Sequence, residues 1–269
     1  MKIAYLGDRY SHSYAASLYL ADKKSDFRGY KSVSDAAQAV MEGECDMCVL
    51  PSENSVEGAV TATEDILLEK PLYIRSRVAL PIHHCFVTKG NVPFDVIETV
   101  YSHPQALAQC SLWLKTNVPQ AKIVSVYSTS YALGLIKSEN EAAVAASAGE
   151  NATEAARNIE DYGNNTTRFL LVSKECLTEG RRASVIFGAE NRPGGLLDML
   201  ELLAHAGVNM TRIQSRPSKT GLGDYRFFAD FTLPDIRGNE ALACVTDSLK
   251  KAAAYFKFLG RYDDIFMEA

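Results

Sequence analysis

No uncharged apolar stretch in this 269-residue sequence approaches the ~18 residues that a helix needs to cross a bilayer, so no such span is expected. Lys/Arg runs and basic stripes are lacking as well. The 28 basic and 33 acidic residues are interspersed and the net charge is -5, which offers no footprint for nucleic acid. An anionic ligand therefore needs a local trap, because the overall field does not attract it. There is no internal repeat, low-complexity segment, phosphate loop, zincin pattern or nucleophile–base motif. The six cysteines follow no secretory leader: Met1-Lys2-Ile3-Ala4-Tyr5-Leu6-Gly7 goes straight into a strand and turn. They read as reduced thiols of a cytoplasmic chain. Cys45-Asp46-Met47-Cys48 is a C-x-x-C on an expected strand, where positions i and i+3 face opposite sides, which argues against zinc or redox chemistry. His83, His84, Cys85 and His103 lack the second spaced pair of a metal site. No metal and no other cofactor is expected.

What is present is an ordinary globular composition, 47% hydrophobic and 23% charged, in a chain long enough for two domains. Over residues 1–180 short apolar runs alternate with helical patterns. Strands are expected at 2–6, 45–50, 73–80, 85–88, 122–127, 142–145 and 169–172, and helices at 13–23, 34–42, 61–69, 104–117, 128–137 and 146–158. This is an α/β pattern, a sheet with helices on its faces, divided into two lobes. After a polar linker, 174–182, the grammar changes. Ala183, Val185 and Phe187 alternate as a strand, and Leu196, Leu200, Leu203 and Ala204 share a helical face. Further strands follow at 208–213 and 225–233, then a helix capped by Asn239 and a closing strand at 256–262, with Gly221–Gly223 as a turn. The order βαββαβ is that of a ferredoxin-like unit.

Polar residues cluster at the mouth of one apolar strand, Asn165-Thr166-Thr167-Arg168-Phe169. A rigid strand with a wet, reactive end suits a cleft enzyme. The segment resembles the Asn-x-Thr-Arg-Phe signature of prephenate dehydratases. Pro51-Ser52-Glu53-Asn54-Ser55-x-x-Gly58, Ser102-His103-Pro104-Gln105-Ala106 and Ser128-Thr129-Ser130-Tyr131-Ala132 match the same family in order. Asn191-Arg192-Pro193-Gly194-Gly195-Leu196 and Gln214-Ser215-Arg216-Pro217 match the two signature loops of its ACT domain. The resemblance spans essentially the whole chain. It implies a periplasmic-binding-protein-like catalytic domain over 1–178, with lobes 1–76 plus 167–178 and 77–166, followed by an ACT domain over 182–269. It also implies a homodimer or homotetramer joined through the ACT domain.

The implied reaction turns prephenate into phenylpyruvate with loss of carbon dioxide and water. Aromatisation drives it, so the protein must hold a dianion and donate a hydrogen bond to the departing hydroxyl. A threonine hydroxyl does this without ionising, and Thr167 is the expected donor. Ser11, Asn54, Ser55, Ser128 and Thr129, at or near helix starts, are expected to hold the substrate with Glu53, Asn165 and Phe169. In a regular strand Arg168 faces away from Thr167, so it either contacts substrate or pairs with a carboxylate such as Glu53. The family's first loop is shortened here to Gly7-Asp8-Arg9-Tyr10-Ser11, and Arg9 is expected to supply the missing anion contact. In the ACT unit, Asn191, Pro193, Gly194, Leu196, Gln214, Ser215, Arg216 and Pro217 are expected to bind L-phenylalanine as effector. Two departures bear on this, Gln214 for the usual glutamate and Gly195 for alanine. Arogenate dehydration is the alternative reaction, and a non-catalytic amino-acid or small-acid sensor the alternative class. Chorismate mutase activity would need a further helical domain.

Overall fold

Ile3, Ala4 and Tyr5 are buried and make β1 (Lys2–Leu6) an interior strand of the first sheet in the computed structural model, which describes residues 1–149, 152–219, 221 and 223–266. By contact the chain forms two compact units, Met1–Val60 with Ala79–Phe169, and Thr61–Val78 with Leu170–Ala269. In the first unit β1 is followed by α1 (His12–Leu20), β2 (Asp26–Tyr30), α2 (Val33–Glu42), β3 (Met47–Asn54) and the short β4 (Gly58–Ala59). β1 pairs in parallel with β2 on one side and β3 on the other. Ser32 caps α2 by accepting from Asp35 N at 3.0 Å, and Gly43 ends it in the left-handed region at φ +80°. Strand β2 was not expected. Asp-Phe-Arg-Gly-Tyr holds no apolar run, and only its register with β1, on the outer edge, makes it a strand.

The chain then passes through α3 (Thr61–Glu69) and β5 (Tyr73–Pro81) to a second sheet of the first unit. Its strands are β6 (Cys85–Thr88), β7 (Thr99–Ser102), β8 (Lys122–Ser125), β9 (Glu141–Ala145) and β10 (Thr153–Arg157), in the order β10-β6-β9-β7-β8. Helices α4 (Pro104–Gln109), α5 (Ser111–Asn117) and α6 (Thr129–Leu135) accompany it, and β11 (Thr166–Ser173) follows. Phe86, Ile97, Val100, Cys110, Leu114 and Val144 form its core.

Two expectations fail here. The single helix expected over 104–117 breaks at Cys110, because the Asp161 carboxylate accepts from Leu112 N at 3.0 Å and Trp113 N at 3.3 Å and starts a new helix. The helix expected over 146–158 is not formed. Glu150 and Asn151 lie outside the described residues, and 153–157 is β10, antiparallel to β6. The free edge of β6 overrides the helical propensity of an Ala-rich segment. Leu222, in the expected turn 221–223, also lies outside the described residues.

The second unit has the expected βαββαβ order: β12 (Arg182–Gly188), α7 (Gly195–His205), β13 (Asn209–Pro217), β14 (Tyr225–Thr232), α8 (Gly238–Ala252) and β15 (Tyr255–Ile265). β12 is central, antiparallel to β14 and β15, with β13 beyond β14. Val185, Phe187, Met199, Leu203, Phe231, Val245 and Leu249 form the core between sheet and helices. Asn239 does not cap α8. The helix starts after Arg237, which is left-handed at φ +64°, and Asn239 Oδ1 accepts from Arg261 instead.

This unit also takes in α3. Arg212 on β13 donates to Glu64 at 2.6 Å, Arg216 holds both Asp65 oxygens at 3.0 Å, and Lys257 donates to the carbonyls of Leu67 and Lys70 at 2.5 Å. Glu64 is 3% exposed, its other oxygen is unpartnered, and burial pushes its carboxyl up. Arg212→Ala is therefore expected to cost about 2–4 kcal/mol by stranding a buried carboxylate, and Glu64→Gln much less. Urea unfolding checks this, and equal losses in both variants would contradict it.

Candidate active site

Thr167 and Phe169 point to one side of β11 and Thr166 and Arg168 to the other, as strand alternation requires. The inner side faces an open cavity of about 870 Å³ in the first unit. Its wall includes Thr167, Phe169 and Asn54, the start of α1 with Ser11 and His12, and the turn into α6 with Ser128 and Thr129. His84, His103, Gln105 and Gln109 complete one side, and Asp8 and Lys31 bring charge.

The orientation of the Thr167 hydroxyl can be derived. Asn54 Oδ1 accepts from the backbone N–H of Val56 at 2.9 Å and of Glu57 at 3.1 Å. That fixes the amide, so both its N–H bonds point the other way, to Asn165 Oδ1 at 2.7 Å and Thr167 Oγ1 at 2.9 Å. With its oxygen thus occupied, Asn165 donates through Nδ2 to Gln109 Oε1 at 3.1 Å. Gln109 in turn donates to Glu57 Oε1 at 3.1 Å. Asn54, His84, Gln109, Asn165 and Thr167 are all buried, so each bond replaces one made to water in the unfolded chain and is worth about 1 kcal/mol net. Thr167 Oγ1 thus receives a hydrogen bond from the protein, and its own proton is left for the cavity.

Gln109 Oε1 also lies 2.9 Å from His84 Nε2. An acceptor oxygen there requires the imidazole to carry its proton on Nε2. Nδ1 then holds a bare lone pair, is buried, and has no partner, at a cost of about 1–3 kcal/mol. Burial lowers the basicity of His84, and that of His12 to about 4. Both rings are neutral near pH 7 and stand edge to face with centroids 5.8 Å apart.

Of the residues singled out by sequence, Ser11, Asn54, Ser128, Thr129, Thr167 and Phe169 line the cavity. Ser11 and Ser128 also cap their helices, accepting from Tyr14 N at 3.2 Å and Tyr131 N at 3.0 Å. Four others stand behind the wall. Asn165 belongs to the amide chain, Ser55 ties β3 to β11 by accepting from Thr166 N at 2.9 Å, and Arg168 pairs with Glu53. Arg9 is exposed and does not line the cavity, where the cation is Lys31. Gln109, Glu57, His12 and His84 were not foreseen. Gln109 sits on an otherwise apolar helix face with Ala106 and Cys110, and a lone amide there is the signal that could have found it.

The ACT-like loops lie wholly in the second unit. Gly194 heads α7 at φ +82° beside Asn191, Pro193 and Leu196. A Cβ on Gly195 would stand 2.2 Å from Glu190 O, so the alanine of the family pattern has no room in this loop. On β13, Gln214 donates to Ser215 O at 3.3 Å, and Arg216 is held by Asp65 ahead of Pro217.

Residues 3–177 match the model of the family described as prephenate dehydratase, and 183–238 that of the ACT domain. The prephenate dehydratase of Amycolatopsis methanolica is 35% identical over 277 residues, covering 97% of this chain and 88% of that protein. A crystal structure of the Arthrobacter aurescens prephenate dehydratase in complex with L-Phe is similar at TM-score 0.85 and 32% identity, covering 98% of this chain and 90% of that one. GqqA, described as a novel type of quorum quenching acylase, is similar at TM-score 0.83 and 26% identity over 97% of each chain.

Asn54→Asp is expected to cost about 2 kcal/mol or more, because a carboxylate would face the Asn165 oxygen and lose both donors. Urea unfolding indistinguishable from that of the unsubstituted protein would contradict the derived orientation.

Proposed function

The chain belongs to the prephenate dehydratase family, and on that premise we propose that its cavity binds prephenate and that Thr167 assists departure of the ring hydroxyl. The carrying observation is the Asn54 Nδ2 to Thr167 Oγ1 bond of 2.9 Å, which turns the threonine proton toward the cavity. In the reaction the ring C–O bond breaks and the hydroxyl leaves as water. The ring carboxylate leaves as carbon dioxide, and the electron pair of its C–C bond completes the aromatic ring. One proton is consumed overall, and solvent supplies it. Thr167 need only donate a hydrogen bond to the leaving oxygen, and the bond it accepts from Asn54 strengthens that donation.

Lys31 offers a cation at the cavity wall for a substrate carboxylate, with Asp8 on the same wall, and the neutral rings of His12 and His84 leave carboxylate binding to Lys31 and the hydroxyls of Ser11, Ser128 and Thr129. Phe169 provides an apolar surface for the ring. An acylase chemistry like that named for GqqA would require a base to take a proton from a nucleophile. Thr167 Oγ1 instead accepts from the Asn54 amide, which does the opposite.

For the second unit the reading is regulatory. L-Phenylalanine binds between the Asn191–Leu196 loop and Gln214–Pro217 at the end of β13, where the N-terminus of α7 and Gly194 favour an α-carboxylate. Subunits join through this unit as a homodimer or homotetramer; β13 is an edge strand with exposed Met210 and Ile213, a surface suited to pairing. The six free cysteines accord with a cytoplasmic setting. No helix among the described residues is long and apolar enough to cross a membrane.

Purified protein given prephenate should form phenylpyruvate, and Thr167→Ala should lower kcat about 10²–10⁴-fold. Arogenate, assayed alongside for phenylalanine release, settles the choice of substrate. Absence of product from both would overturn the enzymatic reading, and full activity in Thr167→Ala would overturn the role of that hydroxyl. Millimolar L-phenylalanine should raise Tm, since it binds only the folded state; an unchanged Tm would remove the effector.

A further inference from the structure

We propose that His84 is a positioning residue for the Thr167 hydroxyl, acting through the buried amides of Gln109, Asn165 and Asn54. The inference rests on the dehydration reading above and goes beyond it by adding a residue that acts on the hydroxyl through other side chains. His84 is remote from Thr167 in sequence, but four hydrogen bonds join them: His84 Nε2 to Gln109 at 2.9 Å, Asn165 to Gln109 at 3.1 Å, Asn54 to Asn165 at 2.7 Å, and Asn54 to Thr167 at 2.9 Å.

Every amide in this chain has two orientations, and the bonds are compatible with only one combination. Two donors converge on Gln109 Oε1, from Asn165 and from His84. The Val56 and Glu57 amides fix the direction of the chain from the Asn54 end, and Gln109 Nε2 is itself held by Glu57 Oε1 at 3.1 Å. Without the imidazole, Gln109 Oε1 keeps one donor, from Asn165, and the far end of the chain loses its brace. Gln109 can then rock about its Glu57 contact, Asn165 and Asn54 follow, and Thr167 Oγ1 loses the fixed position of its donor. His84 thus holds in place, from the far end, a chain whose direction Asn54 sets.

The surroundings exclude simpler explanations of a buried imidazole at this place. Nδ1 is buried without a partner, so packing alone is better served by an apolar side chain. The neighbouring titratable groups are otherwise engaged: Glu160 accepts from His84 N at 2.9 Å and holds His83 Nδ1 at 2.7 Å, and His12 Nε2 bonds His83 O at 3.2 Å. Desolvation keeps the ring neutral, which leaves the Nε2–H as its one polar contribution.

Three variants separate this role from a structural one. Gln at 84 can reach Gln109 with its terminal N–H. Asn places its amide near Nδ1 and falls short, and Leu keeps the volume without a donor. With prephenate, His84→Gln should keep kcat within about threefold of the unsubstituted enzyme. His84→Asn and His84→Leu should lose about tenfold or more in kcat, with KM changed by less than about threefold. Unchanged kcat in all three would overturn the proposal. So would an active Asn and an inactive Gln variant, which would assign the role to Nδ1. If His84→Leu does not fold, the Gln and Asn pair carries the test. Nitrogen-15 NMR of the imidazole provides a readout independent of turnover. The neutral Nε2–H tautomer is expected, and an imidazolium or Nδ1–H form would overturn the proposal even if prephenate proved not to be the substrate.

Discussion

Two backbone N–H groups, those of Val56 and Glu57, hold the carboxamide oxygen of Asn54, and the direction of the hydrogen bonds behind the cavity wall depends on that constraint. An amide with its oxygen committed has no freedom left. Its two N–H bonds must find acceptors, and they find Asn165 and Thr167. Thr167 is thereby converted from a hydroxyl of undetermined orientation into a donor aimed at the cavity. The turn after β3 that makes this possible is short and local. Its effect extends through Asn165, Gln109 and His84, because each buried polar group has its choices removed by the one before it.

The protein prepares this site with neutral groups. A threonine, three amides and two histidines stripped of charge by burial line or back this part of the cavity, while full charges stand at the wall in Asp8 and Lys31 or behind it in Glu57 and the Glu53–Arg168 pair. This suits a reaction whose driving force lies in the substrate. A strong acid is unnecessary, and a fixed dipole costs nothing to reorganise when the hydroxyl departs. In the other unit charges are used differently. Arg212, Arg216 and Lys257 fasten α3 to the ACT sheet, and the signature Arg216 is already engaged by Asp65. An effector carboxylate reaching Arg216 would have to share it with Asp65.

Much of the fold was legible because its strands are apolar runs and its helices carry caps. The ferredoxin-like unit follows from alternation in Tyr225–Thr232 and the apolar face of Gly195–His205. Strand β7 was also missed, because its Thr-Val-Tyr-Ser is too short to stand out, and two other failures share a different cause. β2 is polar and β10 is Ala-rich, so neither has local preference for a strand, and each is formed by the register of a neighbour. The break at Cys110 is set by Asp161, a residue far along the chain. At the site, Thr167, Asn54 and Phe169 were visible through motifs and strand alternation. Gln109 and His84 were not, because one is a polar residue on an apolar helix face and the other one of several histidines in a row. Nothing in their local sequence says that they meet.

Sequence by itself determined the family, the α/β and βαββαβ order, and the threonine at the mouth of β11, since these rest on residue types and short spacings. Tertiary structure alone decided which way that threonine's proton points. Hydrogen-bond polarity is a property of closed chains of donors and acceptors, and this chain closes only when β3, α4, β11 and the segment before β6 are brought together. It also decided that Arg168 turns to Glu53 and that Lys31, not Arg9, is the cation of the cavity wall, because both depend on which face of a strand or loop is left toward the open space.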